Sequence, residues 1–383
     1  MELHTQTRNE TDLTVSRIPD ESPDLAVCSE LLDQYRSLIN ESRFHWTTHI
    51  RFKRRLGAGG QGVVYLTEKK GADEFTVPVA LKIFSPERYS SPEKYDEDML
   101  RMGKIAAQVA RIQNEHLVGV ENFLDRSRVR MLVMEWVEGF DLRQLLSPKM
   151  LTVLRKRVSQ RRWQYLNDVV VTAGETQSRF KSGVAIAIVR HCLRALGALH
   201  RRDIVHGDIK PANIMLKRSG HAKIIDIGAA FETTAPPPRL ACTPAYAAIE
   251  VLEGETPTPL SDLASLGYVL IEALSGKPLF NGKERLPEMI AAKRTLSDRM
   301  YDILPTEVTC NELLMSFCYG LVAADRHERF PSAEAAELFD DGAAAFHRQL
   351  IKGDMASEYE NDIRIWIEEL LEVQELFNES MTP

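Results

Sequence analysis

The sequence predicts an α+β protein built of two lobes, a small β-rich lobe followed by a larger helical lobe. Short β-branched runs separated by turns occupy the chain from about residue 50 to residue 137. Further along, apolar residues recur at helical spacing in the segments 184–200, 261–274, 311–321 and 332–346. A sheet-rich part followed by a helix-rich part is typical of the α+β class.

The β-rich lobe begins with residues 50–56, which alternate in polarity like a strand. Two β-branched runs, 63–66 and 77–83, predict the next strands, and residues 128–137 predict another. Between them, residues 96–113 have helical periodicity. The lobe is therefore expected to be a small sheet with one helix.

The two ends of the chain predict extensions to this plan. Residues 1–27 are polar and aperiodic, so we expect a flexible tail without a signal peptide. Apolar residues spaced three and four apart over 28–44 predict a helix within an N-terminal extension, 28–49. A glutamate-rich amphipathic segment predicts a helix within a C-terminal extension, 346–383.

The composition excludes several classes of protein. With 44% hydrophobic residues among 383, the chain can bury a sizeable core. A net charge of −7 argues against a general nucleic-acid binder. The longest apolar stretch, 184–189, is too short for a membrane span. Five cysteines without a CxxC pair predict reduced thiols in a cytoplasmic protein.

A glycine-rich loop, Gly57-Ala-Gly-Gly-Gln-Gly62, lies between the first two strands. Alone, it fits an ordinary hairpin turn or a dinucleotide fingerprint as well as a nucleotide-covering loop. A dinucleotide fingerprint opens into a helix, whereas Val63-Val-Tyr-Leu predicts a strand. Lys82 follows on the next strand and can bind phosphate as a point charge. The pattern predicts backbone N–H groups and a lysine around a triphosphate.

Two polar clusters lie further along, His206-Gly-Asp208-Ile-Lys210-Pro-Ala-Asn213 and Asp226-Ile-Gly228. Phosphoryl transfer needs mainly positioning and charge neutralisation. Asp208, Lys210 and Asn213 lie within six consecutive residues, so one loop can present a carboxylate, a cation and an amide oxygen. Carboxylate and amide oxygens are ligands that suit a hard cation.

In this order, the motifs resemble those of the eukaryotic-type (Hanks-type) Ser/Thr protein kinase family. The resemblance covers about residues 50–345 and implies a protein-kinase-like fold, with the N-lobe over about 50–134 and the C-lobe over about 141–345. It implies ATP and Mg²⁺ as cofactors and protein Ser or Thr hydroxyls as substrates. The lysine two residues after Asp208 is similar to the Ser/Thr-directed form of the motif.

The resemblance also implies a role for each matched residue. Asp208 would orient the substrate hydroxyl, Lys210 would neutralise the transferred phosphoryl group and Lys82 would contact the phosphates. Asn213 and Asp226 would hold Mg²⁺. The implied ATP-binding residues are Leu56, Gly57, Ala58, Gly59, Gly60, Gln61, Gly62, Val64, Ala80, Lys82, Met134, Glu135, Val137 and Asp141.

Further matched residues have structural or regulatory roles in the family. Asp262 would brace the catalytic loop, Arg329 would pair with Glu250, and Thr243 would hydrogen-bond the catalytic aspartate. His206 is interpreted as a packed core residue. The complete set is His206, Gly228, Thr243, Glu250, Asp262 and Arg329. Candidate phosphorylation sites near the activation segment are Thr233, Thr234 and Thr243.

The most consequential departure from the family concerns the partner of Lys82. The helix that should supply a glutamate has no acidic residue from 99 to 114, and Ile105 stands in the expected place, with Gln108 a turn further on. Glu97 or Asp98 could serve only in a longer or shifted helix. The ion pair of Lys82 with this helix is therefore predicted to be absent or altered.

Three further departures are milder. Gly207 replaces the arginine that senses activation-loop phosphate, which predicts no strict need for phosphorylation. Ile227 replaces a phenylalanine and can fill the same packing site. Ile249 replaces a proline near the substrate platform, where it frees the backbone.

Two segments lie outside the family pattern. Residues 148–163 hold a basic cluster, read as a solvated face or as a docking surface for acidic substrate peptides; the cluster is Lys149, Arg155, Lys156, Arg157, Arg161 and Arg162. Trp163 beside it is thin support for nucleic-acid binding. The C-terminal helix is expected to pack on the kinase domain or on a second copy, as a regulatory or homodimer contact.

The sequence therefore predicts a cytoplasmic Ser/Thr protein kinase that uses ATP and Mg²⁺. A pseudokinase acting as a nucleotide-binding or scaffolding module is the alternative, favoured by the missing glutamate and disfavoured by the intact Asp208, Lys210, Asn213 and Asp226. Transfer of another group, such as a nucleotidyl group, on the same fold also stays open.

Overall fold

The computed structural model describes residues 29–40, 43–44, 50–238, 242–283, 285–352 and 359–380. The predicted flexible tail, 1–27, lies outside these residues. The described elements of the N-terminal part are α1 (Ser29–Asn40), β1 (Arg43–Phe44), β2 (Ile50–Gly59), β3 (Gly62–Lys70), β4 (Thr76–Phe84), α2 (Pro92–Val109), β5 (Val120–Arg126) and β6 (Val129–Glu135).

The C-terminal part is mostly helical. Its elements are β7 (Gly139–Asp141), α3 (Leu142–Leu146), α4 (Pro148–Arg155), α5 (Gln160–Tyr165), a π-helical turn (Leu166–Val170), β8 (Val171–Ala173), β9 (Ser178–Phe180), α6 (Ser182–His200), β10 (Ile204–Val205), a 3₁₀ turn (Pro211–Asn213), β11 (Ile214–Lys217), β12 (Ala222–Ile224), β13 (Phe231–Glu232), α7 (Ile249–Leu252), α8 (Pro259–Ser275), α9 (Leu286–Arg294), α10 (Leu296–Ile303), α11 (Thr306–Thr309), α12 (Glu312–Val322), a 3₁₀ turn (Arg326–Glu328), α13 (Ala333–Leu338), α14 (Ala343–Lys352) and α15 (Tyr359–Ser380). The predicted bilobal α+β fold is confirmed.

The N-lobe is an antiparallel sheet with the strand order β1-β2-β3-β4-β6-β5. On β4, Val79, Leu81 and Ile83 are fully buried and alternate with Ala80 and Lys82. The period of two in a strand therefore directs the aliphatic residues to the lobe's core and Lys82 to the opposite face.

The structure corrects the bounds of three predicted helices. The N-terminal helix ends at Asn40 rather than at 44, because residues 43–44 pair with β2 instead. Helix α2 begins at Pro92, before the predicted 96, since Ser91 accepts a hydrogen bond from Lys94 N as its N-cap. The segment 332–346 divides into α13 and α14 around Gly342.

The core of the C-lobe is formed by α6 and α8, whose residues are almost all buried. Among the described residues, α6 alone has the length and apolar composition of a membrane span, and 83% of that window is buried inside the fold. A buried core helix meets the same criteria, which explains its apolar sequence here.

Helix α15 packs within the chain against α4, α6 and β11 and takes side-chain contacts from α5, and we call this set of contacts the α15 seam. Trp366 is 1% exposed and its ring meets Phe180 edge-to-face at a centroid distance of 5.8 Å. A Cβ at Gly183 would collide with the ring of Tyr359, so the small residue on α6 is required by the packing of α15. The homodimer contact stays a prediction.

The predicted basic cluster contributes one residue to this seam. Arg162 donates from Nε and Nη2 to the two carboxylate oxygens of Glu369 on α15, at 2.7 and 3.1 Å. Arg155 lies over the ring of Trp163. The other cluster members are exposed, namely Lys149, Lys156, Arg157 and Arg161.

Candidate active site

The glycine-rich loop forms the tip of the β2–β3 hairpin, where Gly59 pairs with Gly62. Gly62 has a φ of +142°, and a Cβ there would collide with the carbonyl oxygen of Ile83 on β4. A Cβ on Gly57 or Gly59 would meet no atom of the described residues within 4 Å. Packing does not require these two glycines, and their backbone is open to a ligand above the cleft.

Lys82 lies beneath this loop with only 4% of its surface exposed. Its Nζ is 2.8 Å from each carboxylate oxygen of Asp226, which also accepts a hydrogen bond from the backbone N–H of Gly228. Burial alone would raise the pKa of Asp226, but the Lys82 charge and these hydrogen bonds outweigh burial and lower the pKa to about 2. The cleft thus holds an ionised carboxylate against a buried ammonium.

Gln61, at the tip of the loop, makes the contact that sequence reasoning missed. Its Oε1 accepts a hydrogen bond from Lys82 Nζ at 2.6 Å. A Cβ on Gly228 would collide with both of these side chains, so glycine at that position makes room for their contact. The one sequence signal was a polar side chain at the loop tip, which does not specify the direction in which it points.

Helix α2 supplies no carboxylate to Lys82 within the described part of the chain, in agreement with the missing glutamate. Although α2 includes Glu97 and Asp98, Glu97 is exposed and Asp98 pairs with two nearby arginines. Ile105 is buried in the N-lobe core, and Gln108 donates to a glutamate on β13. The partners of Lys82 come from the glycine loop and from Asp226.

The catalytic loop forms a compact hydrogen-bonded group around Asp208. Thr243 Oγ1 donates to Asp208 Oδ1 at 2.8 Å, and Lys210 Nζ lies 3.0 Å from Asp208 Oδ2. Lys210 Nζ also donates to Thr243 Oγ1 at 2.9 Å. Asn213 Nδ2 donates to the backbone oxygen of Asp208 at 2.8 Å, which leaves its amide oxygen for another partner.

Asp262 fastens this loop to helix α8. It is 2% exposed and accepts hydrogen bonds from the backbone N–H groups of His206 and Gly207, each at 2.9 Å. His200 Nε2 lies 2.9 Å from the same carboxylate. Gly207 has a φ of +76°, a left-handed conformation that favours glycine. His206 is fully buried, as a packed residue would be.

The predicted adenine pocket lies between β4 and the connection that follows β6. Ala80 pairs with Met134 across the sheet, and both are buried, as is Val137. Asp141 caps α3 by accepting from the backbone N–H of Gln144 at 2.8 Å, and burial raises its pKa. The remaining predicted contacts lie on the β2–β3 hairpin, at Leu56, Ala58, Gly60 and Val64.

Glu135 at the end of β6 directs its side chain elsewhere. Its carboxylate accepts from the backbone N–H of Gly119 at 2.6 Å and pairs with the buried Lys223 on β12. One carboxylate oxygen of Glu135, Oε1, is therefore already bound by two donors. Glu135 Oε1 links β6 to the strand pair that carries the catalytic loop.

A buried ion pair supports the end of the activation segment. Arg329 Nη1 and Nη2 donate to the two oxygens of Glu250 at 2.8 and 2.9 Å, and Ser261 Oγ donates to the same carboxylate. Burial alone would raise the pKa of Glu250, but the bonds and charge of Arg329 lower it. Of the candidate phosphorylation sites, Thr233 and Thr234 are exposed, whereas Thr243 is buried.

Comparison of the sequence with known proteins identifies the family to which this site belongs. A family model described as protein kinase domain matches residues 50–338. The chain is 30% identical over 238 residues to the serine/threonine-protein kinase PknL of Mycobacterium tuberculosis, covering 61% of this chain and 50% of PknL.

Two further relatives show the same pattern. The probable serine/threonine-protein kinase pknA2 of Bifidobacterium longum is 28% identical over 237 residues, covering 60% of this chain and 27% of pknA2. The serine/threonine-protein kinase PknB of Mycolicibacterium smegmatis is 29% identical over 237 residues, covering 59% of this chain and 32% of PknB. The chain thus matches half or less of the length of these relatives.

Proposed function

The chain belongs to the protein kinase domain family, and on that premise we propose that it is an ATP-dependent Ser/Thr protein kinase that transfers the γ-phosphate to protein hydroxyl groups. The observation that carries the proposal is a pair of linked groups, Lys82 with Asp226 and Asp208 with Lys210 and Asn213. The hydrogen bond from Ile225 N to the backbone oxygen of Asn213, at 3.0 Å, joins the chain next to Asp226 to the catalytic loop. These residues supply the charge neutralisation and positioning that phosphoryl transfer requires.

The donor set fits Mg²⁺. Asn213 has its amide nitrogen bound to Asp208, so its amide oxygen is available, and Asp226 is held as a carboxylate anion. Both are hard oxygen ligands of the kind Mg²⁺ prefers. Mg²⁺, when bound, would neutralise charge on the phosphates. Lys82 would then divide its three N–H donors between Asp226 and the phosphates of ATP.

Asp208 and Lys210 account for the transfer itself. Thr243 and Asn213 hold the Asp208 carboxylate, which leaves it fixed to accept a hydrogen bond from the incoming hydroxyl and orient it. Lys210, beside Asp208, places a positive charge where the phosphoryl group would pass. The lysine at this position also supports Ser/Thr rather than tyrosine specificity, as do the relatives' names.

A direct experiment tests this function. Purified protein is incubated with ATP, Mg²⁺ and a generic protein substrate, and the product is examined by intact-mass spectrometry. We expect the mass of a phosphoryl group on the substrate, and loss of at least about a hundredfold in rate for Asp208→Asn and for Lys82→Met. Asp203→Asn is a matched control, because Asp203 is exposed and asparagine tolerates its positive φ. Transfer that survives both active-site changes would contradict these roles.

A pseudokinase is the second candidate, and one observation favours it. Lys82 is paired with Asp226 and Gln61 rather than with a carboxylate from α2. A thermal shift with ATP and Mg²⁺ but no transfer in the same assay would favour the scaffold. The mass of a nucleotidyl group on the product would instead identify nucleotidyl transfer.

We also propose a cytoplasmic location, on the strength of the cysteines. Among the described residues Cys192, Cys242, Cys310 and Cys318 are free thiols, and burial raises the pKa of Cys192 and Cys318 to about 12. Inert buried thiols are typical of proteins from reducing compartments. Mass spectrometry after alkylation of protein taken directly from cells measures their redox state, and a disulfide among them would contradict the proposal.

A further inference from the structure

Lys293 on α9 is a buried lysine that the proposed phosphoryl transfer does not use. Only 1% of it is exposed, and its Nζ donates to the backbone carbonyl oxygen of Ala245 at 2.7 Å. The Nζ atom lies 3.8 Å from the ring centroid of Tyr268 and 4.1 Å from that of Phe280. Among the described residues no carboxylate lies within 4.0 Å of it.

Burying a lysine in this environment is energetically unfavourable. An ammonium buried without a carboxylate loses its hydration, and burial lowers the pKa of Lys293 well below its ordinary range. The two aromatic faces and the single carbonyl compensate for part of that loss. A methionine would fill the same space without this loss of hydration. The carbonyl of Ala245 is therefore the contact that distinguishes lysine from an apolar residue here.

Ala245 belongs to a turn that is fastened at three points. At its start, Thr243 donates to Asp208, and its backbone oxygen accepts from Tyr246 N and Ala247 N, both at 2.9 Å. In the middle, Lys293 holds the carbonyl of Ala245. At the far side, Tyr246 donates its hydroxyl to the buried Glu272 of α8 at 2.8 Å.

The outer side of this turn is accessible. Residues 244–246 are half-buried, whereas Thr243 and Ala247 are buried. A polypeptide whose hydroxyl reaches Asp208 must pass beside these residues, because Thr243 is in direct contact with Asp208. The turn is thus the backbone next to the reacting hydroxyl, and its conformation depends on what holds the Ala245 carbonyl.

We propose that Lys293 is a positioning residue for the protein substrate: by holding the Ala245 carbonyl, it fixes the turn 243–247 against which the polypeptide next to the phosphorylated hydroxyl binds. The proposal rests on the proposed kinase function. It concerns the polypeptide and not ATP, because the hydrogen bond and both ring contacts of Lys293 are made to the C-lobe residues Ala245, Tyr268 and Phe280.

The test is Lys293→Met, which removes the Nζ donor and keeps the length of the side chain. We expect KM for a protein or peptide substrate to rise about tenfold, the upper end of what one lost hydrogen bond contributes. KM for ATP and the thermal shift with ATP and Mg²⁺ should stay within about twofold of the wild type. Lys283→Met on the surface before α9 is the matched control. Equal changes in both KM values, or an unchanged substrate KM, would overturn the proposal.

A second measurement needs neither turnover nor a substrate. Hydrogen exchange at the amides of Thr243, Ala245, Tyr246 and Ala247 should accelerate about tenfold in Lys293→Met while exchange in α6 is unchanged. If Lys293→Met fails to fold, Tyr246→Phe removes another of the three fastenings and should raise the substrate KM by a smaller factor with KM for ATP unchanged. Wild-type protein without any transfer would refute the kinase function, whereas unaltered exchange in the variant refutes the role of Lys293 alone.

Discussion

The catalytic cleft and the α15 seam both bring acidic and basic side chains together, but they do so among different neighbours. In the cleft, Lys82 faces Asp226 and Lys210 faces Asp208, and polar groups surround both pairs. In the seam, the pair of Arg162 with Glu369 lies at the edge of a buried apolar stripe. The charged groups of the cleft are placed to bind a ligand and act on it, whereas the buried apolar stripe of the seam stabilises the folded state.

The glycines that packing requires show the same difference between the cleft and the seam. Gly228 in the cleft makes room for the polar side chains of Lys82 and Gln61. Gly183 in the seam makes room for the ring of Tyr359, and a Cβ on Gly220 would collide with the backbone of Glu360. The comparison predicts that substitutions in the seam lower the free energy of unfolding, while those in the cleft act mainly on ligands and turnover.

The largest effect on stability is expected from Trp366→Ala in the seam. Removing this buried ring leaves a cavity beside Phe180, and we expect the free energy of unfolding to fall by about 3–5 kcal/mol. Urea unfolding followed by circular dichroism measures it. Tyr301→Ala is the matched control, since Tyr301 is a helical aromatic residue with 61% exposure, and its change should stay within about 0.5 kcal/mol. A loss below about 1 kcal/mol for Trp366→Ala would mean that α15 is dispensable.

The cleft was more predictable from the sequence than the seam, for a physical reason. Asp208, Lys210 and Asn213 are neighbours along the chain, so a local motif already implies their proximity. The seam joins residues far apart in the sequence, such as Tyr165 and Asp362, which are separated by 197 positions. Helical periodicity predicts that α15 has an apolar face, and it does not say which surface covers that face.

Within the cleft, the sequence did not predict contacts that depend on the direction in which a side chain points. The absence of an α2 glutamate was visible in the sequence, but the replacement contact from Gln61 was not, because it depends on how the loop tip folds over β4. The predicted start of α2 was wrong because a local capping signal was overlooked. The pair Ser91-Pro92 is an N-terminal helix signal that places the start of α2 four residues before the predicted one.

The seam is also expected to be the more pH-sensitive region near neutrality. His191 on α6 belongs to the seam, because its Nε2 lies 3.3 Å from Oε1 of Glu360 on α15. Its ring stacks on His116 at a centroid distance of 4.2 Å, and burial, with His116 and His221 nearby, lowers its pKa to about 2. The folded state therefore keeps His191 neutral, while the unfolded state binds a proton below about pH 6.5. Stability must rise with pH in this window and fall as the solution is acidified.

The expected loss from His191 alone is about 2 kcal/mol between pH 7 and pH 5. Between pH 7 and pH 5, the free energy of unfolding of His191→Gln should therefore fall by about 2 kcal/mol less than that of the wild type. His327→Gln, at an exposed histidine, should leave the wild-type pH dependence intact. Identical pH profiles for wild type and His191→Gln would remove this distinction between the two regions.

In the cleft, Asp226 gives a smaller effect in a more acidic window. Its folded pKa of about 2 lies below the ordinary value of 3.8, so the ionised form stabilises the fold above about pH 4. That contribution is lost as the pH falls toward 2, and amounts to about 1 kcal/mol between pH 5 and pH 3. The difference in unfolding free energy between wild type and Asp226→Asn should shrink by this amount. A difference that grows on acidification would reverse the sign of the Lys82–Asp226 interaction.

The smallest effect is expected from the ion pair at the edge of the seam, and it tests whether the seam depends on charge or on apolar contact. Arg162 and Glu369 form two hydrogen bonds, yet both side chains are about a fifth exposed, at 21% and 23%. Water and salt screen such a pair, so a double-mutant cycle of Arg162→Gln and Glu369→Gln should give a coupling energy of about 0.5–1 kcal/mol, less at high salt. A coupling of about 3 kcal/mol, comparable to the loss of Trp366, would mean that charge holds α15 in place. The contrast between a polar cleft and an apolar seam would then have to be abandoned.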